Sequence, residues 1–161
     1  MLMLFTDGSV SSKSRIGYGA YLVCTDLDED LEVLSGTIKT KCFSDTSSSR
    51  LELQTLLWAL SELSVIDIDV YTDSQNILRL GSRRERLEQN GYYSSSGKRL
   101  KNHELYRDYF RMTDRLSIKL NHVRGHMPSR KKNKINRVFS LVDKASRKAL
   151  RLSMSSKSPK T

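Results

Sequence analysis

The apolar side chains change their period once along this chain, and the change limits the folds open to it. Leu2, Met3, Leu4 and Phe5 form a short apolar run. It reads as a buried strand ending in a turn at Thr6-Asp7-Gly8-Ser9. Gly17 to Val23 reads as a second strand, Asp26 to Asp30 as an acidic loop, and Glu32 to Thr40 as a third strand. From Leu53 the spacing becomes helical, with Leu53, Leu56, Leu57 and Leu60 at i, i+3, i+4 and i+7. Ser49 and Glu52 have the spacing of a capping box at the start of that helix. Ile66, Ile68 and Val70 then alternate with Asp67, Asp69 and Tyr71. This predicts a fourth strand running to Thr72-Asp73, with Asp67 and Asp69 in solvent.

Ser74 is placed to cap a short helix through Leu80. Residues 81–101 read as a polar, basic loop. Asn102 can cap a helix carrying Leu105, Tyr109, Met112 and Leu116, and Ser117 to Val123 reads as a fifth strand. A basic loop follows over residues 124–136. The last helix carries Ile135, Val138, Phe139, Val142, Ala145, Ala149 and Leu152, and residues 153–161 read as a disordered tail. The order β-β-β-α-β-α-α-β-α predicts an α/β fold. A three-strand antiparallel meander plus parallel strands makes a five-stranded mixed sheet covered by helices. One domain is expected over residues 1–152.

Composition excludes several classes. At 161 residues and 18.5 kDa the chain can bury one core without staples. With 37% hydrophobic and 29% charged residues it is not a disordered chain, a collagen or a membrane bundle. No apolar run approaches the ~20 residues of a membrane span. Cys24 and Cys42 lack metal-ligand spacing and there are three histidines, which excludes a disulfide scaffold and a zinc finger. The start MLMLFTDGS turns acidic too soon for a signal peptide, so a cytoplasmic protein with reduced thiols is expected. It also reads as standing alone.

The net charge is +10, which points to an anionic partner, most often nucleic acid. A well-solvated surface is the alternative. The charge is unevenly spread: residues 1–114 carry net −3 and residues 115–161 net +13. The second stretch holds a single acid, Asp143. Either it pairs locally with Lys144 or Arg147, or it is a metal ligand.

Asp7 and Asp73 fall at predicted strand ends, where ligands of such sheets tend to sit. Glu52 and Asp143 fall on helices. Four such carboxylates can converge on two divalent cations, and a cation pair ~3.5–4 Å apart suits in-line phosphoryl displacement. Each residue also has an ordinary reading: turn residue for Asp7 and Asp73, capping partner for Glu52, surface helix residue for Asp143. Spacing alone leaves both readings open.

Five segments, in order, resemble the motifs of type 1 ribonucleases H: Thr6-Asp7-Gly8-Ser9, Ser49-Arg50-Leu51-Glu52-Leu53, Tyr71-Thr72-Asp73-Ser74-Gln75, Val123-Arg124-Gly125-His126 and Val142-Asp143-Lys144. The resemblance spans residues 1–152. It implies a ribonuclease H-like fold. It also implies an endoribonuclease that hydrolyses the RNA strand of RNA–DNA hybrids, leaving 5′-phosphate and 3′-hydroxyl ends. Two Mg²⁺ or Mn²⁺ ions per site are implied, held by Asp7, Glu52, Asp73 and Asp143. His126 is implied to assist proton transfer or product release. The residue itself agrees, since it lies in a Gly125/Pro128 loop and can titrate near neutral pH; an ordinary surface histidine is the alternative. His103 and His122 have no motif context.

A hybrid reader must sense the 2′-hydroxyl through small polar groups. Gly8, Ser9, Ser48, Ser49, Arg50, Ser74 and Gln75 are the candidates by resemblance, with Ser49 also a possible cap. Residues 83–101 resemble the family's basic protrusion in shortened form, with Lys98, Arg99, Lys101 and Asn102 its clearest part. Arg83, Arg84 and Arg86 add phosphate-scale charge, and Tyr92 and Tyr93 either stack or pack there. The expected partner is an RNA–DNA hybrid, with no membrane and a monomeric chain.

Two departures stand out. Val10 to Arg15 replaces the family's Gly/Pro-rich turn, leaving Lys13 and Arg15 for phosphates. Seventeen positions separate His126 from Asp143, longer than usual, and the excess is the basic run Arg130 to Lys134. The alternatives are a related-fold nuclease acting on DNA, a fragment of a reverse transcriptase, and a catalytically silent hybrid- or dsRNA-binding module. The single acid of TDGS separates the chain from two-acid exonucleases, the early-helix Glu52 from integrases, and the presence of all four acids from a silent module.

Overall fold

A computed structural model describes residues 1–124 and 133–156. Strand β1 (Leu2–Ser11) pairs antiparallel with β2 (Ile16–Cys24), and β2 pairs antiparallel with β3 (Lys39–Phe43). On its other edge β1 pairs parallel with β4 (Asp67–Thr72), and β4 with β5 (Ser117–His122). The sheet order is β3-β2-β1-β4-β5, the mixed sheet that the element order predicts. The helices are α1 (Leu31–Ser35), α2 (Ser48–Glu62), α3 (Gln75–Gln89), α4 (His103–Arg115) and α5 (Lys134–Ser156).

Strand alternation sorts the core into two layers. Leu4, Ile68 and Val70 face one way, against Leu53 and Leu56 of α2, Ile77 of α3 and Tyr109 of α4. Phe5 and Leu22 face the other way, against Val138, Phe139 and Val142 of α5. Leu4 and Phe5 are both fully buried, so β1 is the central strand with a helix layer on each side. Each such side chain contributes roughly 1.5–3 kcal/mol.

Several local expectations change. The strand β1 does not stop at Thr6 but runs to Ser11, and Asp7 pairs in mid-strand with Ala20. The partner strand β2 supplies hydrogen bonds that outweigh the turn preference of Asp-Gly. The span read as a third strand holds α1 first, because Asp30 accepts from the Glu32 N–H and caps it; β3 follows at Lys39. The cap of α2 is Ser47, which accepts from the Arg50 N–H, so Ser49 sits inside the first turn and forms no capping box. Ser74 does cap α3, but that helix continues to Gln89. Its second half is carried by buried Leu87 and by Arg84, which bonds Glu88 and, across to α4, Asp114. Arg83, Arg84 and Arg86 are therefore helical rather than in a loop.

Asn102 precedes α4 without a side-chain cap. Asp69 is half-buried rather than solvated, and its Oδ1 has no hydrogen-bond partner. Tyr92 is buried at φ 65 while Tyr93 is 48% exposed, so the two tyrosines part company. Helix α5 begins at Lys134 and extends to Ser156, into the span read as a tail; residues 157–161 lie outside the described residues. Cys24 and Cys42 are both free, and no described helix is long and apolar enough to cross a membrane.

Glycines let α2 lie directly on the sheet. A Cβ on Gly8 would stand 2.8 Å from Leu51 Cδ2, and one on Gly17 2.7 Å from the same atom. A Cβ on Gly19 would stand 2.2 Å from Thr55 Oγ1. Thr55 cannot easily retreat, because it is fully buried, β-branched and donates to the Leu51 carbonyl at 2.7 Å. Gly19→Ala is expected to cost about 1–3 kcal/mol by overpacking, read as a lowered urea midpoint. An unchanged midpoint would mean that α2 is free to back away from the sheet.

Candidate active site

Four distant segments each deliver one carboxylate. Asp7 shares the α5 face of β1 with Phe5, two residues earlier. Asp73 follows the end of β4. Glu52 lies one residue beyond Leu51, which is pressed between Gly8 and Gly17. Asp143 on α5 follows Val142, whose side chain is fully buried in the layer with Phe5 and Leu22. All four acids are partly buried.

Burial and their charges act on them together. The Asp7 carboxyl is pushed up to about 8, first by burial, then by the charge of Asp73 and a hydrogen bond with Asp143; the Gly8 N–H opposes the shift. Glu52 is also raised, first by burial, with Asp73 adding to the shift and a hydrogen bond from Ser74 opposing it. Like charges in a partly dry site favour the protonated form. Among the described residues no three His, Cys, Asp or Glu side chains stand close enough together to hold a metal ion as they are placed. The donor set is oxygen-only, which suits a hard cation such as Mg²⁺. A cation there would offset both the burial and the neighbouring charges that raise Asp7.

The acids are held by specific neighbours. Ser74 Oγ donates to Glu52 Oε2 at 2.6 Å and accepts from the Ile77 N–H at 3.2 Å. One buried hydroxyl thus caps α3 and orients a carboxylate of α2. Asp143 Oδ2 pairs with Arg147 Nη2 at 3.0 Å. Ser9 and Ser146 meet at 3.0 Å, tying β1 to α5 beside the acids.

The other expected site residues fall into groups. Gly8 is filled by Leu51 on its helix side, and Ser9 is engaged by Ser146. Ser48 and Ser49 are exposed on the first turn of α2. Arg50 reaches across to α4, with Nη2 2.9 Å from Glu104 Oε1 and Nη1 3.3 Å from Asn102 Oδ1. Gln75 is exposed and meets His122 at 3.2 Å between side-chain nitrogens. Lys98, Arg99 and Lys101 are exposed, with Arg99 over the Tyr93 ring. His126 and the run Arg130 to Lys132 lie outside the described residues, while Lys134 opens α5 and pairs with Asp28.

A polar cleft beside the start of α2 has no signature in sequence spacing. Arg15, Asp45, Ser47, Arg50, Lys101, Asn102 and Glu104 line it. Arg15 is held there by Asp45 at 3.1 Å. These residues come from three remote stretches, so only the fold joins them.

The raised Asp7 carboxyl has a consequence for stability. An unfolded Asp titrates near 3.8, so between about pH 4 and pH 8 the folded chain keeps a proton that the unfolded chain has lost. Stability therefore falls as pH rises through that window. Without divalent cations, Asp7→Asn is expected to melt higher than the wild type at pH 8, with the gap closing near pH 4. Parallel melting curves across that range would mean that Asp7 does not hold the proton.

The RNase H family model matches residues 1–150 of the chain. A Ribonuclease H of Rhizobium johnstonii is 32% identical over 126 residues, covering 76% of this chain and 78% of the relative. A Ribonuclease H of Acetivibrio thermocellus is 27% identical over 139 residues, covering 84% and 89%. Among solved structures, the PFV RNase H domain superposes with a TM-score of 0.70 at 18% identity, covering 91% of this chain and 92% of that one. A foamy viral protease-reverse transcriptase in complex with dsDNA gives a TM-score of 0.63 at 14% identity, covering 90% and 93%.

Proposed function

The chain belongs to the RNase H family, and from that premise we propose that it is an endonuclease hydrolysing the RNA strand of RNA–DNA hybrids. Ribonuclease H-type nuclease activity follows from the family and fold. The observation that supports the finer reading above all is the state of Asp7: burial first, and then the charge of Asp73 and a hydrogen bond with Asp143, push its carboxyl up to about 8, while burial and, less, Asp73 raise Glu52.

Asp7, Glu52, Asp73 and Asp143 are the groups that would hold two Mg²⁺ or Mn²⁺ ions. When bound, such ions polarise the phosphodiester and make a water more acidic. The chain's own residues do the rest. Ser74 fixes the Glu52 carboxylate by a hydrogen bond, and the Ser9–Ser146 contact ties α5 to β1. Exposed Ser48 and Ser49 are small polar groups suited to reading 2′-hydroxyls in a shallow minor groove. The cleft of Arg15, Arg50 and Lys101 and the exposed Lys98 and Arg99 supply cations for backbone phosphates. Binding is therefore expected to weaken steeply with salt. His126 is proposed, on its motif, to move a proton or help product leave.

The decisive assay is cleavage of an end-labelled hybrid with Mg²⁺ or Mn²⁺, beside single-stranded RNA, double-stranded RNA and double-stranded DNA. The RNA strand of the hybrid alone should be cut, and Asp73→Asn should bind hybrid without cutting it. Cutting of DNA would move the protein to a DNA-directed nuclease of the same fold. Hybrid binding without cutting by the wild type would make it a silent binding module. His126→Ala is expected to slow multiple turnover without abolishing cleavage; unchanged turnover would remove the histidine from the mechanism.

A further inference from the structure

The acid cluster carries a cation of its own. Arg147 lies one turn beyond Asp143 on α5, and its Nη2 stands 3.0 Å from Asp143 Oδ2. Asp143 is thus engaged from two sides, by this guanidinium and by Asp7. Other arginine pairs of this length lie elsewhere: Arg50 with Glu104, Arg84 with Glu88 and Asp114, and Arg15 with Asp45. Arg147 therefore differs from those arginines in pairing with one of the four acids.

We propose that Arg147 competes with the divalent cation for Asp143 and so sets the metal affinity of the site below what the acids alone would give. The inference rests on the reading of these acids as metal ligands. A fixed positive charge a few ångströms from the carboxylate opposes an incoming dication directly. It also engages Oδ2, one of the two oxygens that Asp143 could offer a cation. Removing the guanidinium therefore acts in an unusual direction. A residue that merely held Asp143 in place would, when lost, loosen the ligand and weaken metal binding. A competitor, when lost, tightens it. The Arg147 and Asp143 side chains are 49% and 27% exposed, so water screens the pair and the effect is expected to be about two- to fivefold in affinity.

The test is titration of Mg²⁺ into the full chain without nucleic acid, by calorimetry and by the Mg²⁺-dependent rise in melting temperature. Wild type, Arg147→Gln and Arg147→Lys are compared. Arg147→Gln should bind Mg²⁺ about two- to fivefold tighter and gain more melting temperature from it, while Arg147→Lys, which keeps the charge, should stay near wild type. Equal or weaker binding by Arg147→Gln overturns the competitor and leaves the metal site standing. A wild type that binds no Mg²⁺ overturns both.

Discussion

The acidic end of this molecule depends on how closely α2 lies against β1 and β2. Three glycines, Gly8, Gly17 and Gly19, remove the side chains that would otherwise hold the helix off the sheet. Leu51 and Thr55 fill that space, and Glu52 is carried in beside Leu51. The contact is short and apolar, and it is made by backbone as much as by side chain. It has little room to adjust, since protein interiors are close-packed and resist small displacements. A helix standing further off would leave Glu52 remote from Asp73 and out of reach of Ser74.

That closeness sets an electrostatic problem which the rest of the site answers. Carboxylates from β1, α2, α5 and the end of β4 are each partly buried, and Asp7 feels both Asp73 and Asp143. Burial and mutual repulsion then favour protons on Asp7 and Glu52. The answers are local and of different kinds. Ser74 offers Glu52 a neutral donor, Arg147 offers Asp143 a charge, and Asp7 and Asp143 share a hydrogen bond. The wider charge distribution has the opposite sign: the stretch from residue 115 onward carries net +13 around its single acid. A negative spot set in a positive chain suits a site that holds cations and an anionic polymer together.

Much of this is legible in the order of residues alone. Period-2 and period-3.6 runs locate β1, β2, β4, β5, α2, α4 and α5, because burial on one face imposes those periods on the sequence; β3 lies later than its apolar pattern suggested, after α1. The four acids are legible as candidates because each falls within one of five ordered motifs, although Asp7 lies in mid-strand and Asp143 inside α5. Where the fold departs from local preference, the cause is shared: a tertiary partner overrides it. Asp7-Gly8 favours a turn, yet β2 pairs straight through it. Gly81 and a run of arginines read as loop, yet Leu87 and the Arg84–Asp114 pair extend α3 through them. Asp69 alternates like a solvated residue, yet it is half-buried, with one carboxylate oxygen shut away from water.

The sequence by itself determined which residues alternate, which glycines and aspartates were available, and how unevenly the charge lies, since these are properties of order along one chain. It therefore carried the family and the order of the five strands and four longer helices, without α1, and it offered the four acids as candidates. Only the tertiary structure decided what those acids meet. Ser74 is 22 residues from Glu52 and Ser146 is 137 from Ser9, and no periodicity reaches across such gaps. Contacts of that kind are chosen by the register of strands and the seating of helices, which the whole core sets at once.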